Sequence, residues 1–299
     1  MAAVAVAEWV VPAAGAARSE MEPAHPEFVP DPSASRETME GLQREIATHA
    51  TFTDEFAFDP TAVSTTGTHT LDSVTATDQA ADDRSPADGP AGDPAHEPPV
   101  VVGVDQAFLD DRAVGAIVAL RAGEVIERAS AVVDLEFPYV PGLLSFREAG
   151  AILAAFANLD VEPDLAVFDG SGRIHYREAG LATHLGLVFD LPSVGVAKGL
   201  LCGTPQGSLD DLPEGARTAI AADDSVETTG QDVIGCALQT RQYDSGSRHV
   251  DPVYVSSGHR VEGETAADLV GRLCDGYKLP EPTRLADGYA DEVKREHGG

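Results

Sequence analysis

Two aspartates in this chain each close an apolar run: VVVGVD ends on Asp105 and LAVFD on Asp169. A carboxylate at the end of a buried run is costly unless it is paired or bound to a metal. If the two runs are neighbouring strands, both side chains emerge on one edge of a sheet. Two hard oxygen donors there suit Mg²⁺, which takes a few carboxylates together with water and substrate phosphate. The plainer alternative is that Asp105 ends a strand and Asp169 begins a turn, a common use of Asp. Glu148 is a third carboxylate with a strong structural alternative. Ser145-Phe-Arg-Glu148 has the form of a capping box, in which Glu satisfies a free N–H at a helix start. Local reasoning favours that cap.

Other residues have chemistry to offer. Pro138-Tyr139-Val140-Pro141-Gly142 is rigid and could hold an aromatic ring outward, either as an ordinary turn or as a wedge between bases. Lys198 follows the apolar run PSVGVA and could meet a phosphate or simply be solvated at a strand end. His259, in the small-residue turn SSGHR, could handle a proton near neutral pH. His175 and His184 lie in the segment after Asp169. No Walker motif, dinucleotide glycine fingerprint, HExxH or GxSxG is present.

Positioning these residues requires a sheet. The runs 100–105, 113–120 and 125–134 read as strands, the last two joined by the tight turn RAGE into a hairpin. A helix over 146–159, the short strand LAVFD, a helix from about 177 to 187 and the strand at 192–197 follow. Later strands are expected at 231–239 and 252–256, and a helix at 264–275. This order predicts an α/β fold, a mixed sheet covered by helices. Upstream, Met39, Leu42 and Ile46 are spaced three and four apart, which predicts an amphipathic helix over 35–50 with Ser35 as N-cap.

The chain of 299 residues carries a net charge of −30 and only three lysines. So acidic a surface suits concentrated salt, where the Debye length falls to about 3 Å at 1 M and self-repulsion is screened. Under those conditions acidity does not exclude a nucleic-acid partner. Residues 1–98 hold 18 acidic and 4 basic side chains, and 59–99 is poor in large apolar residues. We therefore expect a disordered tail over 1–34 and a disordered insertion over 51–98, around the helix at 35–50. The folded domain is expected over 99–288, with a C-terminal tail at 289–299. Three widely spaced cysteines give neither a zinc pattern nor a disulfide framework, which favours the cytoplasm. No run of about 20 residues is apolar enough to span a bilayer.

Six segments then converge. GVD (103–105), FPYVPGLLSFRE (137–148), DGSGRIHYREAGLATHLG (169–186), LPSVGVAKGLLCG (191–203), PVYVSSGHR (252–260) and GYKLPEPTRLAD (276–287) resemble the endonuclease V family in order and spacing. The resemblance covers nearly all of 100–287 and points to a halophilic archaeal member. It implies a ribonuclease H-like fold and Mg²⁺-dependent hydrolysis, with Mn²⁺ as a substitute. The implied substrate is DNA containing deoxyinosine, nicked at the second phosphodiester bond on the 3′ side to leave 3′-hydroxyl and 5′-phosphate ends. Inosine in RNA is the close alternative, and a non-catalytic nucleic-acid-binding module on the same fold the distant one. A monomer is expected.

The same resemblance implies Asp105 and Asp169 as metal ligands, with Glu148 as a third carboxylate. It makes His259 a helper at the metal, Lys198 a phosphate contact and Tyr139 the wedge. Gly142, Leu144, Gly170, His175 and Gly180 would line the pocket for the flipped base. The chain departs from the family's usual His-Pro-Arg-Arg with His175-Tyr176-Arg177-Glu178, and Ser171 replaces a bulkier residue. Both departures put base specificity in question more than the chemistry.

Overall fold

The computed structural model describes residues 21–65, 97–137, 140–230, 232–242 and 250–298. Strands β1 (Val100–Phe108), β2 (Arg112–Arg121) and β3 (Glu124–Asp134) form an antiparallel meander. The β2–β3 turn has Ala122 and Gly123 at φ 50° and 81°, the left-handed pair that matches strand twist in a two-residue hairpin. Strands β4 (Leu165–Asp169) and β5 (Ser193–Ala197) then add parallel to β1. β6 (Thr204–Pro205), β7 (Arg217–Ala221), β8 (Val233–Leu238) and β9 (Val253–His259) extend the sheet. The order is β3-β2-β1-β4-β5-β9-β8-β7-β6. This is the expected ribonuclease H-like mixed sheet, widened by β6 and β7, which carry no separate signal in the sequence.

Alternation along the strands sends Val100, Val102 and Val104 to one face and Val101 to the other. The first face is covered by α2 (Leu144–Phe156) and α3 (Leu181–Phe189), through Ile152, Phe156, Leu185 and Val188. Helix α1 (Arg36–His49) joins them there through Ile46, and Ser35 caps it as expected. The second face carries α4 (Gly263–Leu273) and α5 (Glu281–His297). Helix α5 lies against β1 and β2. At Gly103 an added Cβ would stand 1.9 Å from the Pro282 carbonyl oxygen, so only glycine lets helix and strand meet.

Several expectations need correction. Helix α3 begins at Leu181, not near Arg177. The preceding backbone is used on the sheet, with Gly172 N–H donating to Ser256 Oγ and Arg173 N–H to the Ser257 carbonyl. Of the expected tail at 289–299, residues 289–297 are the second half of α5, which buries Ala286, Ala290 and Val293 at helical spacing. Residues 21–34 and 51–65 were expected to be disordered and are instead packed. Phe28 and Val63 are buried, His25 N–H bonds the Val188 carbonyl, and Arg260 N–H bonds the Thr51 carbonyl. Single apolar anchors in a polar window escape a compositional average. Residues 1–20 and 66–96 of those two segments lie outside the described residues.

Candidate metal centre and adjoining pocket

Val104 pairs with Phe168 across the parallel β1–β4 ladder, so the next residues, Asp105 and Asp169, stand side by side. Both point to the face that α5 covers, and α5 delivers a third carboxylate, Asp287. One oxygen from each of Asp105, Asp169 and Asp287 lies within 4.8 Å of the others. Three hard oxygen donors converging at a sheet edge fit a magnesium-sized divalent cation completed by water. Asp287 was missed as a site residue. It lay in a segment that carried the resemblance, but its local pattern says only helix surface.

Lys198 follows β5 two residues beyond Val196, the partner of Asp169. Its Nζ is 2.7 Å from Asp169 Oδ2 and 2.9 Å from Asp287 Oδ1. Partial burial opposes the ammonium charge, yet these two bonds hold its pKa above the ordinary lysine value. Burial pushes Asp105 up to about 7, with the Asp169 charge adding to it. Burial raises Asp169 too, against the pull of Lys198. Negative charge that Lys198 only partly offsets is thus concentrated where a cation would relieve it.

Glu148 is not the helix cap that local reasoning favoured. Helix α2 starts at Leu144 with no side-chain cap, so Ser145 lies inside the helix and the capping box cannot form. The Glu148 side chain instead is buried and accepts a hydrogen bond from Gln106 Nε2 at 3.1 Å. Burial, then the nearby charges of Asp105 and Asp169, push it up to about 8. It adjoins the three aspartates without belonging to the mutually close set.

His259 is not brought to this centre. β9 runs antiparallel to β5, pairing Tyr254 with Ala197 at the carboxylate edge and His259 with Ser193 at the far edge. Five residues of strand separate the two ends, roughly 17 Å at about 3.4 Å per residue. There His259 Nδ1 accepts from Thr51 N–H and Nε2 meets Asp190 Oδ1 at 3.1 Å. Its role is to tether the segment after α1.

A cavity of about 470 Å³ opens beside the carboxylates, within the range of about 300–1,000 Å³ typical of small-ligand sites. Gly142, Leu144, Gly170, His175 and Gly180 all line it, together with Glu148 and Asp169. Gly180 has no room for a side chain, since a Cβ would meet Ser171 O at 2.4 Å. His175 is buried and accepts from Arg177 N–H at Nδ1. Burial lowers its pKa to about 4, so the ring is neutral near pH 7. Tyr139 lies outside the described residues. Of the departures, Ser171 and Tyr176 line the cavity. Glu178 does not: it is fully buried, bonded to Arg173 and to Thr229, and ties two loops together.

The endonuclease V family model matches residues 91–288. Endonuclease V of Haloarcula marismortui is 60% identical over 276 residues, spanning 92% of this chain and 98% of that protein. Among solved structures, endonuclease V of Streptomyces avermitilis aligns with a TM-score of 0.66 and 31% identity, over 89% of this chain and 96% of that one. Ciona intestinalis endonuclease V, solved with a 24-mer DNA containing an inosine followed by a ribo-adenosine, shares the fold at a TM-score of 0.58 and 21% identity. That alignment spans 87% of this chain and 97% of the Ciona chain. The extent and identity of the Haloarcula match, together with a family model spanning the whole carboxylate edge, make this chain a member of the endonuclease V family, a nuclease on a ribonuclease H-like fold.

Proposed function

We propose that the protein is an Mg²⁺-dependent DNA repair endonuclease. It recognises deoxyinosine and hydrolyses the second phosphodiester bond on its 3′ side, leaving 3′-hydroxyl and 5′-phosphate ends. The observation that carries this reading is the shared wall between the carboxylate group and the cavity: Asp169 and Glu148 belong to both neighbourhoods. Asp105, Asp169 and Asp287 would hold the cation, which supplies Lewis-acid stabilisation of charge developing on the phosphate. Lys198 presents a fixed positive charge on the same edge. Glu148, held by Gln106, would take a proton from water once a bound cation has drawn its raised pKa down. The cavity receives an extruded base, and extrusion costs a few kcal/mol, least at a mispair. That cost favours a deaminated adenine over intact duplex.

The inosine-bearing DNA held by the Ciona relative supports this choice of substrate. The three cysteines are free, which supports the cytoplasm, and no helix among the described residues is long and apolar enough to cross a membrane. The test is strand nicking in molar KCl with and without Mg²⁺, on matched oligonucleotides carrying deoxyinosine, ribo-inosine or neither. Nicking of the deoxyinosine strand alone, at the second bond, is expected. Equal cleavage of the inosine-free strand overturns the base specificity, and a preference for ribo-inosine moves the substrate to RNA.

A further inference from the structure

Gln43 lies in the apolar face of α1, between Met39 and Ile46, and is completely buried. An amide there needs a reason, because an apolar side chain of the same shape would pack with no desolvation cost. Both ends of the amide are used. Nε2 donates to the Gly142 carbonyl at 2.9 Å, and Oε1 accepts from Arg177 Nη1 at 3.0 Å. These partners belong to two segments that line the cavity: Gly142 to one, and the loop carrying His175 and Tyr176 to the other. Gly142 sits at φ 78°, where a Cβ would meet the Tyr176 ring at 3.3 Å.

We propose that Gln43 is a positioning residue for the pocket, so that α1 is part of lesion recognition although it precedes Gly142 by 99 positions. A glutamine fits because one planar group donates to a carbonyl and accepts from a guanidinium. Glutamate keeps the second bond and loses the first. Methionine keeps the shape and loses both. Arg177 retains Glu40 as a partner in either variant, at 3.3 Å, so α1 stays docked while the rim is released. The proposal rests on the substrate reading above only where inosine is used as the probe.

The experiment compares full-length parent, Gln43→Met and Gln43→Glu by hydrogen exchange and by nicking kinetics. Losing one hydrogen bond changes an equilibrium on the order of tenfold. Amides in 140–144 should therefore exchange about that much faster in both variants, and those in 173–180 in Gln43→Met, with β1 and β4 unchanged. KM for a deoxyinosine strand should rise by a similar factor, while kcat and the Mg²⁺ half-saturation stay within about twofold. Unchanged exchange in the two loops overturns the proposal. So does a fall in kcat with KM unchanged, or faster exchange throughout α1 with no change in KM. If the parent nicks inosine-free DNA equally well, the base reading fails, and Gln43 is judged on exchange alone.

Discussion

Lys198 Nζ lies 2.7 Å from Asp169 Oδ2, so the side chain that neutralises this carboxylate competes with any cation for it. Lys198→Met should therefore strengthen Mg²⁺ binding several-fold, because a competing charge is gone. Turnover should nonetheless fall by about 10²-fold, the usual scale for losing one charge-stabilising group. Calorimetric titration with Mg²⁺ and nicking rates measured on the same variant check the two halves. A variant that binds Mg²⁺ more weakly would mean the lysine supports the site instead of competing within it.

Asp287 and His259 are the two candidates to join Asp105 and Asp169 at the cation. Asp287→Asn should weaken cation binding and cut nicking by about 10²-fold or more, as Asp105→Asn and Asp169→Asn should. His259→Ala should leave the Mg²⁺ half-saturation in place. It should destabilise the fold by about 1–3 kcal/mol, because the Thr51 N–H loses its buried acceptor. Urea denaturation and Mg²⁺ titration of both variants decide it; the reverse pattern restores the histidine to the metal.

Proton linkage at the carboxylate edge has a defined sign. Asp105 is pushed up to about 7 and Glu148 to about 8, so the folded state binds more protons than the unfolded chain. The stability this provides is complete below the unfolded carboxyl range and is lost as pH rises through about 7 to 8. In chelator, the melting temperature should fall between about pH 5 and about pH 8. Saturating Mg²⁺ should flatten that fall, and its binding should release protons. A metal-free melting temperature that climbs over this window contradicts the assignment.

His184 carries the opposite sign. It is completely buried beneath Phe28, with Nε2 donating to the Phe28 carbonyl at 2.8 Å. Burial lowers its pKa from 6.5 to about 4. Its contribution is complete above the unfolded value and is lost as pH falls from about 6.5 to 4, a change of ~3 kcal/mol. His184→Gln retains a donor and cannot charge. The stability gap between parent and variant, followed by urea unfolding, should therefore move in the variant's favour through this window. A gap independent of pH would show that His184 does not titrate with folding.

Much of the site could be read locally. Asp105 and Asp169 each end a continuous apolar run, which marks a buried strand and the strand end that carries the carboxylate, while the face it takes depends on the helices packed there. The pocket residues Gly142, Leu144, Gly170, His175 and Gly180 were placed by resemblance and do line one cavity. Glu148 was ambiguous because a capping box and a buried carboxylate share one pattern. Only the true start of α2 at Leu144 separates them.

What the sequence determined by itself is therefore most of the strands, β6 and β7 apart, and the two aspartates that two of them carry, since these follow from local runs of apolar residues. Tertiary structure decided the rest. The antiparallel run of β9 carries His259 to the far edge of the sheet, and nothing within SSGHR encodes strand direction. The contact of α5 on Gly103 brings Asp287 to the metal edge, and the docking of α1 brings Gln43 to the pocket rim. Each depends on packing between segments distant in the chain, which local pattern cannot express because the partner surface exists only after folding.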